Sequence, residues 1–385
     1  MLADGVRTTA YLAAIRGGVH SGAIVVEIGT GVGYFAVAAC AAGARHVFAM
    51  EINPVIELGA QVAADNGCAD RITFIRGDSR RVKLPEPADV LLSDLRGVMP
   101  LFGDHIPTIA DARTRMLRPG ATIIPRRDTL WVAPCAAPAG WRRDHITIGD
   151  APHGIDRRAV AAKLRSDWYQ CHLRSDELAA AGVQWAALDY ATIESPNVTG
   201  HADWVFSRDA AVDGIALWFE GDLGFGATLS NSPLAPRELY GQAFCPLERS
   251  LDVRGGDRLA VDLSANHVNG DYVWGWSSTL TPCAADSKPF AFRQSNLAAR
   301  VVSASWLRAR SAGHIPPRGA STELWTTMLG LVDGARTIGE IAAALRKAHP
   351  DAFADPEAAF RFVSSGIGTL DDEDVVAFPP IPSTG

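Results

Sequence analysis

Little in this chain of 385 residues is arranged for a membrane, a disulfide frame or a metal. No run of eighteen apolar residues occurs, so no segment reads as a bilayer-spanning helix. No charged-then-apolar leader opens the chain, and export is not expected. Six cysteines are scattered without a C-x-x-C pair, which excludes the common zinc and redox spacings. That is the pattern of reduced thiols in a soluble, cytoplasmic protein. An excess of positive charge is also lacking. The net charge is −7 with a pI near 5.8, so general nucleic-acid binding is excluded, while a basic peptide or cationic small molecule remains acceptable. What is present is 48% hydrophobic residues, enough for two or three domains with cores of their own.

The organising stretch is Val25 to Gly33, V-V-E-I-G-T-G-V-G. A β-branched run ends at Glu27, then Gly29, Thr30, Gly31 and Gly33 make a tight turn into the small-residue stretch Ala36 to Ala44. Glycine lets a cofactor lie directly on the backbone. A second strand, His46 to Met50, runs into Glu51 and Ile52, about 20 residues after the glycines, where a carboxylate accepts from ribose hydroxyls. The spacing E-x-G-x-G-x-G departs from the dinucleotide fingerprint. Glu27 would repel a pyrophosphate but suits an ammonium, so the cofactor expected is S-adenosylmethionine, leaving S-adenosylhomocysteine. The pattern resembles the first motif of class I methyltransferases.

Further along, Ile72 to Ile75 is a strand that leads to Asp78 and Ser79, with Asp78 placed to receive the adenine amino group. Asp89 to Ser93 is a buried strand ending at Asp94. Met116 to Pro125 reads as a helix end, a Pro-Gly turn and a strand. Residues 1–126 thus form an α/β Rossmann-like domain. From Asp128 short alternating strands imply an antiparallel β-barrel over 127–295, with a helical stretch near 155–178. Residues 296–385 read as a C-terminal α-rich, winged-helix-like module, in which Thr337 to Glu340 is a capping box before the helix Ile338 to Ala348. A second helix, Pro356 to Ser364, and a terminal strand follow. This module faintly resembles peptide-recognition domains on peptide-modifying enzymes; a helical cap is the simpler reading.

At the start, Asp4 can cap a helix on which Leu2, Val6, Tyr11, Ala14 and Ile15 share a face, and the pattern alone puts Arg7 in solvent. Asp4, Val6, Arg7, Thr8, Tyr11 and Ile15 nevertheless resemble the segment leading into the donor site of protein arginine methyltransferases. The resemblance extends to about residue 280. It implies that Arg7 binds the carboxylate of the methionine moiety, that the 155–178 stretch is an arm pairing two subunits of a homodimer, and that Ser93 sits at the donor site. In that family a further aromatic-rich helix precedes this segment and folds over the cofactor; the chain as given starts after it, so either lid closure differs or the start is truncated.

Departures from the family lie on the acceptor side. Asp94 stands where the family has its first acceptor-loop glutamate, the second position falls on Gly103 with Asp104 next to it, and Arg96 replaces an apolar residue. The barrel loop Glu238-Leu239-Tyr240-Gly241-Gln242 stands for the family's Thr-His-Trp loop, with Leu239 in place of its histidine. Arg96 is expected to meet either a substrate carboxylate or Asp94. Asp94 is the first acceptor-side candidate, followed by Asp104, His105 and Glu238, with Asp104 and His105 available as a general base and His105 otherwise a surface-loop histidine. No metal is implied. The reading is a methyltransferase acting on a guanidino nitrogen or other nucleophile of a peptide, protein or amino-acid-derived acceptor. Alternatives are O- or N-methylation in a natural-product or modified-peptide pathway, a donor-binding regulatory protein without turnover, and, least supported, a nucleotide-dependent oxidoreductase.

Overall fold

The structure is a computed structural model that describes residues 3–145, 154–284, 287–368 and 376–378. The chain divides into two compact units, Met1–Arg300 with Val375–Gly385, and Val301–Asp374.

The first unit opens with α1 (Gly5–Gly18), β1 (Ile24–Ile28), α2 (Tyr34–Ala41), β2 (His46–Glu51), α3 (Gly59–Asp65), β3 (Ile72–Arg76), β4 (Ala88–Ser93), α4 (His105–Arg115) and β5 (Leu117–Ile124). All five residues of β1 are buried, as expected of a central parallel strand covered on both faces. β2 pairs on one side of it and β4 on the other, with Ile28 opposite both Met50 and Ser93. This register brings the Gly29 turn, Glu51 and Asp94 to the same edge of the sheet. The strands run β3-β2-β1-β4-β5, so β1 and β4 flank the point where the winding reverses, which is where such sheets bind ligands. Pro119 and Gly120 lie within β5 instead of preceding it.

The second half carries β6 (Arg127–Cys135), α5 (Ala139–His145), α6 (Arg158–Leu164), β7 (Tyr169–Cys171), β8 (Val183–Asp189), β9 (Val198–Val205), β10 (Ala210–Gly224), β11 (Ala227–Ser230), β12 (Gln242–Val253), β13 (Arg258–Val268), β14 (Asp271–Thr281), β15 (Phe290–Ser295) and α7 (Asn296–Ala299). They form two antiparallel sheets, β7-β12-β10-β6-β8 with β11 on β10, and β15-β14-β13-β9. Alternation is regular in β14, where Tyr272, Trp274, Trp276, Ser278 and Leu280 point inward. The stretch 155–178 is α-helical only in α6, with one 3-10 turn at Ser175–Glu177. After α6 it returns to the barrel as β7, because Tyr169, Gln170 and Cys171 pair with β12. One apolar cluster contains Ile24, Val26 and Leu91 of the first sheet together with Trp185, Phe219 and Trp276 of the barrel, which is why the two halves form one unit.

The second unit contains α8 (Ala304–Arg308), α9 (Ala320–Leu331), α10 (Ile338–Ala348) and α11 (Pro356–Ile367); the last three pack around Met328, Leu345, Ala359 and Val363, while α8 is exposed. The terminal strand does not complete a wing on these helices. As β16 (Val376–Phe378) it pairs antiparallel with β3, at the edge of the first sheet, where free backbone groups are available.

α10 begins at the expected capping box: the Glu340 amide donates to Thr337 Oγ1 (3.2 Å) and Glu340 Oε2 accepts from the Thr337 amide (2.8 Å). Thr337→Ala is expected to lower the opening free energy of this helix by about 1 kcal/mol. Hydrogen–deuterium exchange over 338–348 reads this directly, and unchanged protection would count against the cap.

Candidate functional site

Asp4 starts the site. Its carboxylate caps α1 by accepting from the Arg7 amide (3.0 Å) and also accepts from the Leu239 amide (2.9 Å), so it ties the helix start to the barrel loop between β11 and β12. One turn apart on α1, Arg7 and Tyr11 both face inward. Arg7 is 7% exposed, which corrects the solvated position expected from the helical pattern. Its guanidinium lies 5.1 Å from the Phe35 ring and 5.6 Å from that of Tyr11, and its Nε donates to Asp94 Oδ2.

Asp94 follows β4 directly, and Arg96 is beside it. Arg96 has a fully buried side chain that donates to Asp94 (3.3 Å), to Asp128 (2.8 Å) and to the Tyr11 hydroxyl (2.7 Å). Of the two partners expected for it, Asp94 is the one the structure provides. Asp128, at the start of β6, also accepts from the Tyr190 hydroxyl (2.5 Å). Burial raises the Asp128 carboxyl's pKa, opposed chiefly by Arg96. Neither Asp128 nor Tyr190 carried a local signal in the sequence, because each acts through contacts far along the chain.

On the donor side, Gly29 and Gly31 have φ of +81° and +56°. A Cβ on Gly29 would come within 2.5 Å of the Leu95 side chain, whereas the space beside Gly31 is open. Glu51 Oε2 accepts from the Gly31 amide (3.1 Å) and Oε1 from the Asn53 amide (2.9 Å), which fixes this carboxylate at the mouth of the glycine turn. Glu27 lies deeper and accepts from Thr30 Oγ1 (2.7 Å). Burial pushes its carboxyl up to about 7, against the Thr30 hydrogen bond. At the end of β4 the Ser93 hydroxyl is buried without a hydrogen-bond partner among the described residues, as is that of Thr8.

Five nominated residues lie apart from this centre or are already engaged. Asp78 is held by Arg80 in a two-oxygen ion pair, which keeps its carboxyl below the usual range. Ser79 is buried and its carbonyl accepts from Arg115 (3.0 Å). Ile52 is 61% exposed. Asp104 pairs with Arg80 (2.9 Å) and His267 (2.8 Å), on the Asp78 side. His105 is the first residue of α4, 1% exposed, with Nε2 on the Tyr190 hydroxyl (2.9 Å). Burial, reinforced by Arg96, drives its pKa down to about 3, so it is a neutral core histidine and neither a surface-loop residue nor a general base.

Glu238, by contrast, joins the centre. It is 5% exposed, and neither carboxylate oxygen has a partner among the described residues; the neighbouring Tyr240 hydroxyl is in the same condition. Both residues are electrostatically coupled to Asp94, Arg7 and Arg96.

Residues 6–124 match the family model described as ribosomal protein L11 methyltransferase (PrmA). The chain is 29% identical over 272 residues to an arginine N(omega)-methyltransferase of Streptomyces achromogenes subsp. streptozoticus, covering 68% of this chain and 74% of that protein. It is 26% identical over 286 residues to protein arginine N-methyltransferase 6 of Xenopus tropicalis, covering 70% and 84%. In structure it resembles the Trypanosoma brucei PRMT1 enzyme–prozyme heterotetrameric complex with AdoHcy, with a TM-score of 0.70 at 20% identity, covering 77% of this chain and 96% of that one. Arabidopsis thaliana protein arginine methyltransferase 10 follows with a TM-score of 0.66 at 19% identity, covering 77% and 95%. The chain is an S-adenosylmethionine-dependent methyltransferase with arginine-methyltransferase-like architecture.

Breaking one partner of a buried ion pair strands the other, at a cost of about 3–5 kcal/mol. Asp128→Asn is therefore expected to destabilise the fold by that amount in urea unfolding, and adding Arg96→Met should recover most of the loss. A cost below about 1 kcal/mol would mean that the Arg96 pair is not structural.

Proposed function

We propose that this methyltransferase transfers a methyl group to a guanidino nitrogen, of an arginine in a peptide or protein or of free arginine. The observation that carries the reading is the position of Asp94. A buried carboxylate stands on the ligand edge of the sheet, immediately before the residue (Leu95) that overlies the donor glycine turn. An acceptor cation held there is adjacent to the place where the donor would lie. The described residues hold no cluster of metal ligands, and the reaction asks only for proximity and orientation.

The chain's polar groups fit the donor. Glu51 would hold the ribose hydroxyls, the open space at Gly31 admits the ligand against backbone, Glu27 would face the ammonium, and the unpartnered Ser93 and Thr8 hydroxyls remain for its methionine end. Arg7 would exchange Asp94 for the donor carboxylate. When bound, S-adenosylmethionine supplies an electrophilic methyl on a sulfonium. Asp94 would orient the acceptor by charge-assisted hydrogen bonds, in which one nitrogen faces the donor.

We also infer a homodimer through α6, where Val160 is 53% exposed, together with Ile155 at 63% just before it; a monomeric mass in solution would contradict this. A cytoplasmic location is in keeping with six free cysteines, and no helix among the described residues is long and apolar enough to cross a membrane.

The test is twofold. Calorimetry should show donor binding that weakens on Glu51→Ala by about 1.5–3 kcal/mol, the range for hydrogen bonds to a charged group. Labelled donor should pass its methyl to arginine peptides or arginine. Donor binding with no transfer to any guanidino compound would refute the acceptor assignment.

A further inference from the structure

We propose that Glu238, on the barrel loop, is the second carboxylate of the acceptor site and grips the guanidinium jointly with Asp94, a proposal that rests on the arginine-methylating reading above. In the family pattern both carboxylates lie on one loop, yet here the second position is Gly103, beside which the structure has only open space, and its neighbour Asp104 is committed to Arg80 and His267. The loop cannot supply the second charge at that point.

Charge balance within the site identifies what can. Arg7 and Arg96 are matched by Asp94 and Asp128 in buried ion pairs. Asp4 is spent on two backbone amides at a helix start, where an anion is already stabilised. Glu238 is the acidic group left over. Its two oxygens are buried and accept nothing from the described residues, although its backbone is firmly placed: the Glu238 carbonyl accepts from His172 Nε2 (3.0 Å) and the next amide donates to Asp4. Leaving a buried carboxylate without hydrogen bonds is costly unless a ligand completes it. A cation with several N–H donors is the matching chemistry, and a guanidinium has five on an arginine side chain. The unpartnered Tyr240 hydroxyl next to it offers a further acceptor.

The surroundings set the pH behaviour. Facing Glu238 are Asp4 and Arg7 from α1, Asp94 and Arg96 from the acceptor loop, and Tyr240 from its own loop, with His172 on its carbonyl. Burial pushes the Glu238 carboxyl up to about 7, with Asp4 and Asp94 adding to the rise and Arg96 and Arg7 opposing it. Guanidinium binding needs the ionised form, so acceptor capture improves as pH rises through this value. Stability runs the other way. A carboxyl whose pKa is higher folded than unfolded binds more protons in the folded state, so the fold loses stability as pH rises from the unfolded value to about 7.

The experiment uses the full chain with an arginine peptide as acceptor at saturating donor. Glu238→Gln is expected to raise KM for the peptide by at least 30-fold and to abolish the rise of kcat/KM near pH 7, with the donor Kd within two-fold of wild type. Glu238→Asp should restore part of the affinity and the pH dependence. Thermal melts supply a second readout: Glu238→Gln should melt higher than wild type at pH 8 and level with it at pH 5. A peptide KM within three-fold of wild type, or a melting point lowered at both pH values, would overturn the proposal and leave the acceptor assignment standing. Wild type that methylates no guanidino compound would remove both.

Discussion

The buried carboxylate of Asp94, shared between two arginines from different directions, is the constraint on which the rest of the site depends. A lone ionised carboxylate in that position would carry a large desolvation cost and would protonate. Arg7 approaches from α1 and Arg96 from the loop itself, and the second is in turn neutralised by Asp128. The charges alternate through the interior, so each is compensated by its neighbour. Removing any one leaves another exposed to a low dielectric without compensation.

That chain of contacts also joins the two halves of the molecule. Tyr11 donates to the Ser93 carbonyl and accepts from Arg96, while Tyr190 connects Asp128 to His105 at the start of α4. Helix α1, the end of β4, the first barrel strand and α4 thus meet in one hydrogen-bonded set. Such a network holds the acceptor loop in one geometry, which matters for methyl transfer because the reaction depends on alignment more than on acid–base chemistry. Function and stability pull apart at Glu238, whose unmatched charge weakens the empty fold but suits a cationic acceptor.

Much of the architecture was legible along the chain. The strand–glycine–helix signal at Val25 to Gly33, the acidic residue at Glu51, the cap at Asp4 and the capping box at Thr337 are local, set by periodicity and by hydrogen bonds within a few residues. Helix α10 runs over the residues its pattern indicates. The barrel was legible as texture only: β10 extends from Ala210 to Gly224, well beyond the apolar core Gly214 to Phe219, because pairing on both sides continues into its polar ends. The arm near 155–178 was half-legible, since β7 is defined by its partner β12 and not by its own composition.

Sequence by itself determined the glycine-turn edge of the first sheet, because glycines, a strand end and a carboxylate at set spacing are enough to shape it locally. Which acidic residues stand free to meet a cation was decided only by tertiary structure. Asp94, Asp104, His105 and Glu238 are all candidates along the chain, with Asp94 first, yet folding pairs Asp104 with Arg80 and His267, buries His105 as a neutral core residue and leaves Glu238 desolvated and unmatched. Burial and the nearest charge set the state of an ionisable group, and both are properties of residues far away in the chain.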